Sequence, residues 1–116
     1  MMLMAKYVNA VDLSDPSLVI EEKHALAADV FVDSQLWQRE IDPADVVLPH
    51  ALLTETAANW AKREAAMQGH IGEGSPLLKK SIEFEKNALR LAGTFSRKAL
   101  GIETTGSYGS VTISRG

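Results

Sequence analysis

The stretch Ser75-Pro76-Leu77-Leu78-Lys79-Lys80-Ser81-Ile82-Glu83-Phe84-Glu85-Lys86-Asn87-Ala88-Leu89-Arg90-Leu91-Ala92 decides the fold class. Ser75 can accept from a free backbone N–H, and proline suits the first helical position. The apolar residues Leu77, Leu78, Ile82, Phe84, Ala88, Leu89, Leu91 and Ala92 follow at helical spacing. Phe95 and Ala99 extend the pattern, so the helix is expected to run until Gly101. A stripe this broad suits a helix packed on more than one neighbour. Glu83 and Glu85 precede Lys86 and Arg90, which permits weak ion pairs along its surface.

Working outward, residues 69–74 read Gly-His-Ile-Gly-Glu-Gly, a loop. Before it, a main helix is expected from about His50 to Gln68, ended by Gly69. Its apolar stripe is Leu53, Ala57, Trp60 and Met67, flanked by Leu52 and Ala61, with Lys62, Arg63 and Glu64 on the wet side. Pro49 interrupts the run before it. Asp42-Pro43-Ala44-Asp45 places a cap, a proline and an acid as a helical start requires. Asp15-Pro16 marks an earlier start by the same logic, with Glu21 and Glu22 near the positive helix end. Leu18, Glu22, Ala25, Asp29, Val32 and Leu36 then progress helically, with Leu26 and Val30 beside them. Val30-Phe31-Val32 leaves open one bent helix or two, the second capped by Asp33.

The expected architecture is all-α: a small antiparallel bundle of three to five helices over residues 15–101, with short extended terminal segments. Residues 1–14 form a leader. Residues 102–116 form a tail whose Ser110-Val111-Thr112-Ile113-Ser114 alternates polar and apolar. That tail is either disordered or a strand ordered by a neighbouring subunit or another protein.

The chain has 116 residues, the size of one domain, and no cysteine. Nothing suggests a disulfide scaffold, a thiolate metal site or a cysteine nucleophile. No stretch approaches eighteen apolar residues, so no membrane span is expected, and Met1–Lys6 lacks the layout of a signal peptide. The net charge of −3 is unevenly spread. Residues 1–58 hold ten acidic and three basic side chains; residues 59–116 hold five and nine. The plain reading is solvated helix faces. The sharper one is a molecule that packs head to tail, acidic face against basic face.

Catalytic patterns are missing. His24, His50 and His70 are far apart, without a metal-binding motif. His24 reads as a surface or semi-buried residue, His50 as part of a first helical turn, and His70 as a loop residue. Gly69, Gly72 and Gly74 lack the strand and the lysine of a phosphate loop. The carboxylate pairs Glu21/Glu22 and Asp42/Asp45 are explained by helix starts. No catalytic residue, metal or cofactor is therefore expected. Trp60 lies on a stripe and reads as core. Trp37 lies near a helix end and, with Arg39, reads as an interface candidate, because tryptophan and arginine are enriched at binding hot spots. A DNA-reading helix is poorly equipped here, since His50–Met67 carries only Lys62 and Arg63, both late.

Several segments carry a resemblance. They are Ala28-Asp29-Val30-Phe31-Val32-Asp33-Ser34-Gln35-Leu36-Trp37, then Ile41-Asp42-Pro43, then Leu52-Leu53-Thr54-Glu55-Thr56-Ala57-Ala58-Asn59-Trp60-Ala61, then Phe84-Glu85-Lys86-Asn87-Ala88-Leu89-Arg90-Leu91-Ala92. Across residues 8–100 the layout resembles the head–tail connector proteins of tailed bacteriophages, also called adaptor or head-completion proteins. The resemblance is diffuse and holds no catalytic signature. It implies a ring, typically of twelve copies, under the portal, extending the DNA channel and receiving the next neck or tail component. It implies a place in the virion neck, reached through assembly in the host cytoplasm, with DNA passing unbound and no membrane partner. Carried onto this chain, the helices form the ring body. The loop 69–74, with His70 and Glu73, and the tail, with Val111 and Ile113, are contact or channel elements. The alternatives are a small DNA-associated regulatory or packaging protein and a generic helical protein-binding adaptor.

Overall fold

The computed structural model describes residues 5–69 and 74–102. Among them the chain is all-helical: α1 spans Glu22–Gln38, α2 spans Ala51–Gly69 and α3 spans Pro76–Ala92. Single 3-10 turns lie at Val11–Leu13 and Pro43–Asp45.

α1 begins seven residues after Asp15, not at Asp15-Pro16. Asp15 accepts from the Ser17 N–H at 2.9 Å and from its hydroxyl at 2.7 Å, which closes a local turn. β-branched Val19 and Ile20 follow, and the backbone at Glu21 is extended. The helix then starts from a reciprocal cap. The Glu21 side chain accepts from the His24 backbone, and the Glu21 N–H donates to His24 Nδ1 at 2.9 Å. The helix continues unbroken through Asp33, so residues 22–38 are one helix.

α1 ends in a Schellman motif. The Ile41 N–H reaches the Leu36 carbonyl at 2.9 Å, and the Glu40 N–H reaches Trp37 at 3.0 Å. Glu40 carries the positive φ of 58° that this turn demands. Leu36 and Ile41, its apolar pair, are both fully buried. Asp42 caps the Pro43 turn by accepting from the Ala44 N–H at 2.9 Å, and the Leu48–Pro49 peptide is cis.

The chain reverses at each connection. Phe31 stacks on Trp60 and His24 meets Gln68, so α1 and α2 run antiparallel. Arg63 meets Glu85 and Gly69 abuts Leu77, so α2 and α3 do too. α2 is the shared neighbour; of the helices, α3 packs on α2 alone to any extent. The expectation of several neighbours for α3 thus transfers to α2, whose Ala57, Ala58, Ala61, Ala65 and Ala66 are buried. Small side chains let helices approach from two sides.

α3 stops at Ala92 and does not reach Gly101. Gly93 caps it, and the turns through Gly101 fold Phe95 and Leu100 into the core. The leader is part of that core as well, since Tyr7, Val8 and Leu13 are buried in it.

Candidate protein-interaction surfaces

The first surface is built where the leader crosses α1. Asp29 accepts from the backbone N–H of Lys6 at 2.9 Å and of Tyr7 at 3.4 Å. The Tyr7 hydroxyl donates to Asp33 at 2.5 Å, and Lys6 Nζ lies 2.7 Å from the same carboxylate. Burial, reinforced by the Asp33 carboxylate, pushes the Tyr7 phenol well above its ordinary range. Burial also raises the Asp29 carboxyl, against the two N–H groups that favour its charged form. Asp33 therefore serves as an anchor for the leader and caps no second helix.

Beside this anchor lies an open groove of about 540 Å³, whose walls include Tyr7, Asp33, Trp37, Asp42, Pro43 and Leu48. Trp37 is 58% exposed and forms its apolar lip. Leu26 and Val30 continue outward along α1, at 41% and 69% exposure. Positions 26, 30 and 37 fall within about 40° of one another at roughly 100° per residue. α1 is thus apolar on two sides: Ala25, Ala28, Phe31, Val32 and Leu36 face the core, while Leu26, Val30 and Trp37 face solvent. An exposed apolar stripe of this kind is a candidate interaction surface.

A second stripe lies on α3. Ile82 and Leu89 are about half exposed, with half-buried Leu78 one turn before them. Lys79, Lys86 and Arg90 flank it. Glu85, expected to pair along α3, pairs instead with Arg63 of α2 at 3.0 Å. Arg63 is correspondingly not on a wet side: it also meets Glu64 and lies 4.7 Å over the Trp60 ring. Trp60 is half-buried with the core behind it. Met67, expected on the inner stripe, is exposed.

The candidate pair Trp37 and Arg39 divides. Trp37 is open, whereas Arg39 is committed within the chain. Its guanidinium donates to the Gln35 carbonyl and side chain, both at 3.0 Å, and sits 5.9 Å over Phe95. His70, Glu73, Val111 and Ile113 lie outside the described residues. Glycine spacing and terminal alternation were the signals that singled them out. The outer stripes of α1 and α3 were missed because Leu26, Val30, Ile82 and Leu89 read as core by hydropathy alone.

His24, expected at the surface or semi-buried, is buried. The Glu21 N–H can only donate, so Nδ1 accepts and Nε2–H donates to the Gln68 amide oxygen at 2.6 Å. This ring joins the start of α1 to the end of α2. His50 precedes α2, its Nδ1 accepting from the Leu52 N–H at 3.3 Å. Among the described residues no three His, Asp or Glu side chains gather where they could hold a metal ion. No helix there is long and apolar enough to cross a membrane. The chain matches no family model, no curated protein and no solved structure.

Proposed function

We propose that this chain is a structural, non-catalytic connector of a tailed bacteriophage or prophage. A small antiparallel bundle with extended ends would be its subunit. Copies form a ring between the portal of the head and the neck or tail, and the ring extends the DNA channel. One observation carries this reading: the Trp37 stripe of α1 is apolar and solvent-facing in the single chain. Exposing such a stripe costs solubility, and burying it against a partner recovers free energy at about 25 cal/mol per Å². The second stripe, on α3, gives the subunit two faces to cover, as a ring of identical copies requires. The resemblance across residues 8–100 supports the same reading. DNA passes through unbound, and the protein reaches the virion neck by assembly in the host cytoplasm.

The test is electron microscopy of the protein mixed with the portal complex encoded beside its gene. Closed density following the portal's outer symmetry is the expected result, and Trp37→Ala removes it while leaving the fold intact. Absence of added density, with both components folded and several salt conditions tried, refutes the connector reading. The Lys79, Lys86 and Arg90 row favours the second reading, a DNA-associated protein. A salt-sensitive shift of duplex DNA that is lost in a Lys86→Ala, Arg90→Ala variant would establish it.

A further inference from the structure

We infer that the groove beside Trp37 takes an arginine side chain of another polypeptide, with its guanidinium over the indole and against Asp42. The inference names the chemistry of a partner at this surface and does not depend on the ring reading.

The chain supplies its own pattern for such a contact. Arg63 Cζ lies 4.7 Å over the Trp60 ring, and its Nε donates to Glu85 at 3.0 Å. Lys6 Nζ lies 5.1 Å from the Tyr7 ring centre and 2.7 Å from Asp33. Arg39 sits 5.9 Å over Phe95, and Lys62 sits 6.0 Å over Phe84. Phe31 stacks on Trp60. Among the described Phe, Tyr and Trp residues, Trp37 alone has neither a cation over its ring nor a second ring against it. It is also the exposed one of the set.

A carboxylate stands in the same groove. Asp42 accepts from the Ala44 N–H through one oxygen, and no cation among the described residues pairs with it. Lys6 is the basic residue in the groove wall, and Asp33 already holds it. Glu40 and Asp45, exposed before and after Asp42 in the chain, have no cationic partner there either. A cation entering the groove therefore meets uncompensated negative charge beside an open indole face, and an anion is repelled. Arginine fits better than lysine. Its planar guanidinium stacks on an aromatic face while its N–H fork meets a carboxylate, as Arg63 does on Trp60 and Glu85. Its aliphatic stem can lie along Pro43 and Leu48.

The source is a polypeptide. The groove, about 540 Å³, is open and continues into the apolar stripe of Leu26 and Val30. Residues on either side of the arginine can cover that surface, and a free small cation cannot.

The probe is the pentapeptide Ala-Leu-Arg-Leu-Ala, capped at both ends. It is titrated into the isotope-labelled full chain and read by NMR at the Trp37 indole N–H and the Ala44 N–H. Citrulline in place of arginine keeps the shape and removes the charge. Binding is expected at a Kd of about 1 mM or tighter, and about fivefold weaker with citrulline. Asp42→Asn keeps the cap, since asparagine caps as well as aspartate. It should weaken the arginine peptide about threefold and leave the citrulline peptide unchanged, the signature of a direct pair. Trp37→Leu keeps an apolar side chain, loses the π face, and should weaken the arginine peptide to a similar extent. Equal affinity for the two peptides, an Asp42→Asn effect on both alike, or no shift up to about 10 mM peptide would each overturn the inference. So would capped arginine alone binding as tightly as the pentapeptide, because the ligand would then be a small cation. Protein that binds the peptide but adds no density to a portal keeps this site and removes the connector reading. Portal-bound rings from protein that ignores the peptide do the reverse.

Discussion

Glu40→Gly should make this protein more stable, although it deletes a side chain. Glu40 holds φ at 58°, the left-handed region, because the Schellman turn after α1 needs its C′ residue there. For a residue with a β-carbon that conformation costs roughly 1–2 kcal/mol. Glycine removes the cost but gives back about 0.5–1 kcal/mol as extra freedom of the unfolded chain. The net gain is about 0.5–1 kcal/mol. In a domain of this size it raises Tm by about 2–8 °C. The hydrogen bonds of the turn are made by backbone, so they survive, as does the buried Leu36–Ile41 pair. Glu40 also stands near Asp42 and Asp45, so part of any gain has an electrostatic source. Glu40→Gln measures that part, since it keeps the β-carbon and loses the charge. Thermal unfolding of the three proteins decides the matter. If Glu40→Gly is no more stable than Glu40→Gln, the strain assigned to this turn is wrong.

Other outcomes follow from the same contacts. Phe31→Ala removes a ring stacked 3.9 Å from Trp60 and should cost about 3–5 kcal/mol in urea unfolding. Ala61→Leu forces a larger side chain between packed helices at a fully buried site, and should cost about 1–3 kcal/mol by the same measurement. Tyr7 keeps its proton in the folded protein where the unfolded chain gives it up, because its folded pKa is raised. Its contribution is therefore fully present below about pH 10 and lost as pH rises above that value. Tyr7→Phe should flatten that alkaline loss, and should cost about 1 kcal/mol at neutral pH for the missing bond to Asp33.

Helix existence and the cap chemistry were legible in the residues themselves. Asp42-Pro43 and Ser75-Pro76 act as caps in the structure, because a cap is a hydrogen bond across two or three residues and needs nothing distant. Gly69, read as the stop of α2, is the last residue described of that helix. Where local signals competed, tertiary packing chose. Asp15-Pro16 has the same cap chemistry but yields only a turn, since Glu21 and His24 form a better start, and His24 is held by Gln68, 44 residues away. The pattern of Phe95 and Ala99 reads as more helix, yet the chain turns at Gly93 and folds Phe95 and Leu100 inward. Burying those side chains outweighs further helical hydrogen bonds.

The candidate site divides along the same line. Trp37 could be picked out from its residue type and its place near a helix end. The stripe it belongs to could not. Leu26 and Val32 are both aliphatic and six residues apart, but one is 41% exposed and the other fully buried. Hydropathy tells that both favour burial; only the position of α2 tells which one obtains it. The sequence by itself determined that helices form, the caps at Asp42 and Ser75, and the uneven charge, since all three depend on neighbours along the chain. The tertiary structure decided which faces α2 covers and which remain open, because that depends on residues brought together from far apart.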